Sequence, residues 1–232
     1  MLLWNLGLLF ESPFSFIAVL IMVGVSLIIA LSFHEASHAF AARLLGDRTG
    51  ERMGRLTLNP LSHLDPIGTI MLFLVGFGWG KPVPVNPYLM RVSPKVGMGI
   101  VSLAGPCANL LIAFVLSLPI RFGVLPWHPP TRFIPHMGES ILGLTADLVG
   151  AIILYNILLA SFNLLPIPPL DGFKILQSIS PRPLSDLLFA VERAGPFVLL
   201  AVLVLFYITG ILWFILRALM NFFALLFVGQ GF

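Results

Sequence analysis

Residues Pro13 to Leu45 read PFSFIAVLIMVGVSLIIALSFHEASHAFAARLL. The run is apolar as far as Ile29 and then admits two histidines and a glutamate without any helix-breaking residue. About 20 apolar residues are enough for a helix to cross the hydrocarbon core of a bilayer. The stretch therefore predicts one long membrane helix that carries ionisable side chains towards its carboxyl-terminal end.

The composition of the whole chain places it in a membrane. Of its 232 residues, 58% are hydrophobic and 10% are charged, whereas a soluble domain is usually about 45–50% apolar. The net charge of +3 is scattered over segment ends and forms no basic block, so we expect a lipid bilayer and no nucleic acid as partner. The predicted fold is an all-α polytopic membrane protein with about five transmembrane helices in a single domain, residues 1–232.

Further apolar runs give the remaining predicted spans, at about residues 96–120, 139–163 and 196–216. The run at 66–80, PIGTIMLFLVGFGWG, is short and rich in glycine. A re-entrant or extended hairpin segment therefore competes there with a true crossing. Residues 217–232 are either an interfacial helix or a further crossing.

The distribution of basic residues gives the orientation, because cytoplasmic loops of membrane proteins are enriched in Lys and Arg. If 66–80 is re-entrant, only Arg121, Arg132 and Arg217 lie outside the cell. The other basic residues then lie on the cytoplasmic side with the end of the first helix: Arg43, Arg48, Arg52, Arg55, Lys81, Arg91, Lys95, Lys174, Arg182 and Arg193.

The pattern His34-Glu35-Ala36-Ser37-His38 matches the metal-binding motif H-E-x-x-H. Residues four apart lie about 6 Å along a helix on nearly the same face, so both imidazoles can bind one cation with Glu35 beside it as general base. Ionisable residues are costly in a membrane helix and usually serve function. The alternative is that the histidines lie at a helix end and Glu35 pairs with an arginine.

A catalytic zinc ion needs a third protein ligand and an open position for water. The aspartates available are Asp47, Asp65, Asp147, Asp171 and Asp186. With the predicted topology, Asp171 returns to the cytoplasmic half where His34 and His38 lie, whereas Asp147 stays in the outer half. We therefore predict Asp171 as the third ligand, against the alternative that it caps a helix after the prolines of LLPIPPLDG.

Other polar residues are weaker candidates. Asn163, just before LLPIPPLDG, either donates a hydrogen bond to a substrate carbonyl or oxyanion or caps the end of its helix. His63, His128 and His136 are interpreted as structural or surface residues, the last two because they fall on the outer side.

Five motifs in this order resemble the site-2 protease family, in its compact prokaryotic branch without PDZ or CBS modules. They are HEASH at 34–38, LDPIGT at 64–69, KPVPVNP at 81–87, AGPCANL at 104–110 and NLLPIPPLDG at 163–172.

This resemblance implies a three-helix catalytic core, within about residues 13–175, followed by C-terminal helices at about 186–232. It implies one zinc ion held by His34, His38 and Asp171, with Glu35 as catalytic base and Asn163 in support. It also implies that PVPVNP forms the edge on which substrate is laid. The expected location is the prokaryotic inner membrane, with the active site towards the cytoplasm.

The function predicted is that of an intramembrane zinc metalloprotease. It would hydrolyse peptide bonds in or near transmembrane segments of membrane-protein substrates, using a zinc-activated water with Glu35 as general base. Two alternatives use the same ligands: a membrane metal transporter and a non-catalytic pseudo-protease. The sequence leaves open the oligomeric state and the choice between zinc and another divalent metal.

Overall fold

A computed structural model describes residues 10–75, 78–129, 140–193, 201–202, 204–205 and 208–232. No β-strand occurs in these ranges, and the predicted all-α fold is confirmed. The helices with defined ends are α1 (Pro13–Leu45), α2 (Thr49–Arg52), α3 (Pro66–Val75), α4 (Pro94–Arg121), α5 (Ile141–Asn163), α6 (Asp171–Ile179), α7 (Arg182–Arg193) and α8 (Ile211–Phe227). Two short 3-10 turns lie at Pro60–Ser62 and Pro87–Leu89.

Three helices, α1, α4 and α5, are long and apolar enough to cross a membrane, with 33, 28 and 23 residues. Their ends agree with the predicted spans to within about two residues. They form one bundle in which each helix packs against the other two. Val23 of α1 packs against Tyr155 of α5, and Ala113 of α4 packs against Ile157 of α5.

The segment at 66–80 is a hairpin that does not cross. Its helix, α3, has ten residues and is about 15 Å long, half the thickness of the hydrocarbon core. Leu64 and Gly80 at its two ends form an isolated antiparallel bridge, and the Lys81 N–H donates to the His63 carbonyl at 2.7 Å. The chain therefore leaves and returns on the same side of the bundle, which favours the predicted hairpin over a crossing.

The last helix differs from the prediction, which placed a break at residue 217. The break lies at Gly210, whose φ of 71° is the left-handed conformation that glycine adopts most easily, and α8 continues through Arg217. Near the start of α8, Leu216 packs against Leu165 and Ile167. An exposed arginine does not end a helix, because its long side chain can extend towards water.

The far end of α8 lies beside the end of α4, where Arg121 donates hydrogen bonds to the carbonyls of Leu226 and Phe227. The helix therefore runs the depth of the bundle, antiparallel to α5, over about 25 Å. Arg217 consequently lies in the half of the bundle nearer the LLPIPP loop, not at the opposite end as predicted. Part of the predicted span at 196–216 lies outside the described residues.

Candidate metal centre and active site

His34 and His38 lie one turn apart on α1, and both rings point at the carboxylate of Asp171. The Nε2 atom of His34 is 3.1 Å from Asp171 Oδ2, and that of His38 is 3.3 Å from the same oxygen. All three residues are buried. Among the described residues this is the one group of three or more His, Cys, Asp or Glu side chains whose ligand atoms lie within 4.8 Å of one another.

The three side chains fit a tetrahedral zinc ion. Bonds of about 2.0–2.2 Å from zinc to nitrogen and oxygen place neighbouring ligand atoms roughly 3.3 Å apart in a tetrahedron. The two nitrogen-to-oxygen distances match that spacing. Because His34 and His38 meet edge to face, with their ring planes at 89°, both nitrogens can face one point without the rings colliding. Three protein ligands would leave a fourth position for water, as catalytic zinc requires.

Hydrogen bonds on the far side of each imidazole fix its orientation. The Nδ1 atom of His34 lies 2.6 Å from Asn109 Oδ1, and that of His38 lies 2.7 Å from the Val101 carbonyl oxygen. Both partners are acceptors, so each Nδ1 carries the proton and each Nε2 presents its lone pair to the centre. Such outer hydrogen bonds are a regular part of zinc–histidine sites.

Asn109 is the residue of this site that the sequence interpretation missed. It is fully buried on α4, and its amide group donates to the Ala30 carbonyl at 2.8 Å and to Asn156 Oδ1 at 2.9 Å. Asn156 in turn donates to the Ile152 carbonyl on its own helix. This network joins α1, α4 and α5 at the depth of His34. The signal was available, because an asparagine in the middle of an apolar span needs partners inside the bundle.

Gly105, in the AGPCANL motif, leaves the room that the imidazoles occupy. A Cβ atom at this position would lie 2.6 Å from His38 Nε2 and 2.7 Å from His34 Cε1. Small residues let helices approach each other closely. At Gly105 the groups that approach are the side chains of His34 and His38 on α1.

Asp171 reaches the site because α6 begins directly after the proline-rich turn. The residue before it, Leu170, occupies the N-cap position, and Asp171 is the first helical residue. Its carboxylate faces the histidines, so the helix-cap alternative is wrong. Gly172 lets the start of α6 lie against the end of α5, since a Cβ there would be 2.2 Å from the Leu164 carbonyl oxygen.

A cavity of about 270 Å³ opens onto the metal centre, and Glu35 lies in its wall. Glu35 is half-buried, and its carboxylate has no hydrogen bond or ion pair within the described part of the chain. The nearby arginines Arg43 and Arg48 pair with Glu51 instead. The alternative that an arginine neutralises Glu35 therefore does not hold there.

Asn163 is the last residue of α5 and lines the same cavity. Its side-chain amide donates to the Leu159 carbonyl, one turn back on its own helix, at 3.0 Å. Asn163 therefore lines the cavity of the metal centre, and its side chain is hydrogen-bonded to its own helix. Its role towards a substrate stays a prediction.

The other acidic and histidine side chains lie elsewhere. The Asp65 carboxylate accepts from the Gly68 N–H at the start of α3, and Asp147 pairs with His128 at 2.8 Å. Asp186 is exposed. His63 is buried in the loop before α3, where its Nε2 lies 2.8 Å from the Thr57 carbonyl oxygen, which fits its predicted structural role. His136 lies outside the described residues.

The KPVPVNP segment, residues 81–87, forms one wall of the cavity through Pro82, Val83 and Val85. Asp47, just beyond α1, fastens its far end, because its carboxylate accepts from the Asn86 N–H at 2.7 Å and from the Thr49 hydroxyl and N–H.

The ionised carboxylate of Asp47 is the form that holds the 81–87 segment. Burial would raise the pKa of the Asp47 carboxyl, but the hydrogen bonds from Thr49 and Asn86 outweigh it and lower the pKa below its ordinary value. The charged form is the one that accepts these hydrogen bonds, so the ionised carboxylate is the form that fastens the segment.

Comparison with known proteins places this site in a family. The model of Peptidase family M50 matches residues 21–206, which include all three candidate ligands and Glu35. The chain is 35% identical over 201 residues to "Putative zinc metalloprotease YwhC" of Bacillus subtilis, covering 84% of this chain and 85% of that protein. No solved structure matches the chain.

Two further relatives come from a mycobacterium and an archaeon. Identity is 36% over 172 residues to "Putative zinc metalloprotease Rip2" of Mycolicibacterium smegmatis, covering 71% of this chain and 60% of that protein. It is 32% over 165 residues to "Putative zinc metalloprotease MJ0611" of Methanocaldococcus jannaschii, covering 70% of each. With its apolar helices and its two histidines and aspartate arranged for zinc, the chain is an integral membrane protein that belongs to peptidase family M50, the site-2 protease family of zinc metalloproteases.

Proposed function

We propose that the protein is an intramembrane endopeptidase that uses Glu35 as its general base. The observation that carries the proposal is the carboxylate of Glu35, which has no partner in the described chain and lies in the wall of the cavity beside His34, His38 and Asp171. Retention of a free base next to three zinc ligands favours hydrolysis over metal transport or mere binding.

Each residue of the site has its own role in the proposed reaction. The two histidines and Asp171 would hold a zinc ion, which would supply Lewis-acid activation of a water molecule and of the peptide carbonyl. Glu35 accepts a proton from the attacking water and gives it to the departing amine. Asn163 turns its amide from Leu159 to the carbonyl oxygen of the substrate as negative charge develops there. Asn109 and the Val101 carbonyl keep both imidazoles in the tautomer that binds metal.

Cleavage at membrane depth is supported by the outer surface of α1. Phe33 precedes the first histidine, Phe40 and Leu44 follow the second, and all three are exposed. Large apolar side chains facing outward on both sides of the histidines suit a lipid environment better than water. The substrate bond would then be hydrolysed within a transmembrane segment or next to it, in water that enters through the cavity.

The 81–87 segment is suited to hold a substrate in extended form. A peptide bond inside a helix is shielded by the helix's own hydrogen bonds, so the substrate must unwind before attack. The N–H groups of Val83 and Val85 have no hydrogen-bond partner in the described chain, and both side chains line the cavity. An unwound substrate can pair with these groups as an added strand. Helix-destabilising residues near the cleavage site would then favour cleavage.

The proposed orientation places the metal centre towards the cytoplasm of a prokaryotic inner membrane. At the site end of the bundle lie Lys81 and Arg91 in the loops and Lys95 at the start of α4, whereas Arg121 marks the opposite end. A basic excess at one end predicts that this end is cytoplasmic. The proposed partners are the lipid bilayer and a transmembrane protein substrate.

The test compares the wild type with Glu35→Gln, in detergent or reconstituted vesicles, on a model transmembrane substrate, with zinc content measured in both. Cleavage should be lost in Glu35→Gln while about one zinc per chain is retained, because Glu35 is not a ligand. Glu51→Gln is the matched control: it removes a half-buried carboxylate that pairs with Arg43 and Arg48 and does not line the cavity, so this variant should cleave like the wild type.

Two results would contradict the proposal. If Glu35→Gln cleaved the substrate at the wild-type rate, a different base would operate. If the wild type cleaved no substrate, yet vesicles containing either protein moved zinc across the membrane, the transporter alternative would be favoured.

A further inference from the structure

A second cavity adjoins the cavity of the metal centre. It has a volume of about 370 Å³ and lies between the 81–87 segment, the start of α4 and the two short helices α6 and α7. Val85, Met98 and Lys174 line both cavities. The two spaces therefore share one wall, and a chain held along Val85 leads from the metal centre into the second cavity.

Lys174 lies at this junction, and its ammonium group forms no ion pair within the described residues. It lies three residues after Asp171 on α6, so both side chains are on the same face of the helix. Lys174 is half-buried, and its ammonium group makes no hydrogen bond or ion pair with any described residue. A half-buried ammonium group has lost part of its hydration shell. Without an anion nearby to compensate for that loss, it favours a carboxylate as ligand.

The other charged groups of the second cavity are already engaged. The ammonium of Lys95 donates to the Ser180 carbonyl, and the carboxylate of Glu192 accepts from the Gln177 amide at 2.9 Å. The wall thus carries two positive charges and one negative charge. Lys174 is the one of the three whose charged group makes neither a hydrogen bond nor an ion pair within the described residues.

We propose that the second cavity is a subsite for the substrate residues that extend beyond the cleavage site, and that Lys174 selects an acidic side chain there. This inference rests on the proposed proteolytic function. Lys174 acts as a specificity-determining residue in it: the substrate follows the 81–87 segment past Val85, and a Glu or Asp within a few residues of the scissile bond pairs with the ammonium group.

The experiment uses one model transmembrane substrate in which Glu, Gln or Lys is placed in turn at each position within about four residues of the mapped cleavage site. The quantity compared is the ratio of kcat/KM for the Glu substrate to that for the Gln substrate. We expect the wild type to show a ratio of about five at one position, typical of an ion pair that is partly shielded from water. Lys174→Gln should bring this ratio to about one, and Lys174→Glu should make the Lys substrate the preferred one.

Arg182→Gln is the matched control. Arg182 is exposed on α7 and lines neither cavity, and its replacement removes one positive charge, as Lys174→Gln does. It should keep the wild-type ratio. An equal loss of kcat/KM on all substrates in Lys174→Gln would overturn the inference, because a purely structural or catalytic role acts on them alike. So would a wild type that cleaves the Gln substrate but shows no charge preference at any position. Failure of the wild type to cleave every substrate would instead overturn the proposed function and the inference with it.

Discussion

Replacing Asn109 by leucine tests whether the outer hydrogen bond of His34 controls metal binding. Leucine branches at Cγ as asparagine does, although it is bulkier, and it cannot accept the Nδ1–H of His34, which now lies 2.6 Å from Asn109 Oδ1. The imidazole then loses the contact that keeps Nε2 unprotonated and pointed at the centre. Loss of such a partner typically lowers metal affinity about 10- to 100-fold, or roughly 1.4–2.8 kcal/mol.

The fold should survive this substitution. Three hydrogen bonds are lost, to His34, the Ala30 carbonyl and Asn156. At an average of about 0.6 kcal/mol for a polar contact between membrane helices, their sum is about 2 kcal/mol. The effect on zinc is therefore measurable on folded protein, by competition with a chromogenic chelator at neutral pH.

Two further variants sharpen the test. Asn109→Asp keeps an acceptor for His34, so it should bind zinc more tightly than Asn109→Leu even though it loses the amide donors. Ser117→Ala, also on α4 and fully buried, removes a hydrogen bond to the Phe114 carbonyl far from the centre and should leave zinc affinity unchanged. Wild-type zinc affinity in folded Asn109→Leu would refute the reasoning.

Two other predictions follow from the packing around the site. Gly105→Ala places a methyl group 2.6 Å from the His38 ring and should lower zinc content well below one per chain, as measured by metal analysis of folded protein; full zinc occupancy would contradict the close approach. Asp47→Asn should lower stability at neutral pH by about 1–3 kcal/mol, because a buried charged acceptor is lost. The pKa of Asp47 is lowered in the folded state, so the stabilisation by its carboxylate is fully present above about pH 3.9 and is lost as the pH falls through the pKa of the folded protein. The thermal midpoints of the wild type and Asp47→Asn should therefore converge in acid. A constant difference between them at all pH values would contradict this origin.

The three long helices were predictable because their signal is local. The bounds of α1 follow from the apolar run, from Pro13 at its start and from Gly46 after its end. The break before α8 was not predictable in the same way. The charge of Arg217 suggested the end of a segment. Gly210 is one of many glycines that can adopt a left-handed φ, and only the folded chain fixes it there, at the turn into α8.

The hairpin at 66–80 shows what hydrophobicity leaves undecided. A run of this length is compatible with a short crossing and with a return to the same side. The pairing of Leu64 with Gly80 decides between them, and it is a contact between residues distant in sequence that no local pattern encodes.

The sequence by itself determined the candidate metal ligands. Helical spacing places His34 and His38 on one face of α1, whatever surrounds them, and charge bias together with depth selected Asp171 from five aspartates. Only the tertiary structure decided how these ligands are held. Asn109, Gly105 and the Val101 carbonyl act across the interface between α1 and α4, and such roles depend on which helices pack together and at which register. Those contacts are non-local, so they exist only once the bundle has formed.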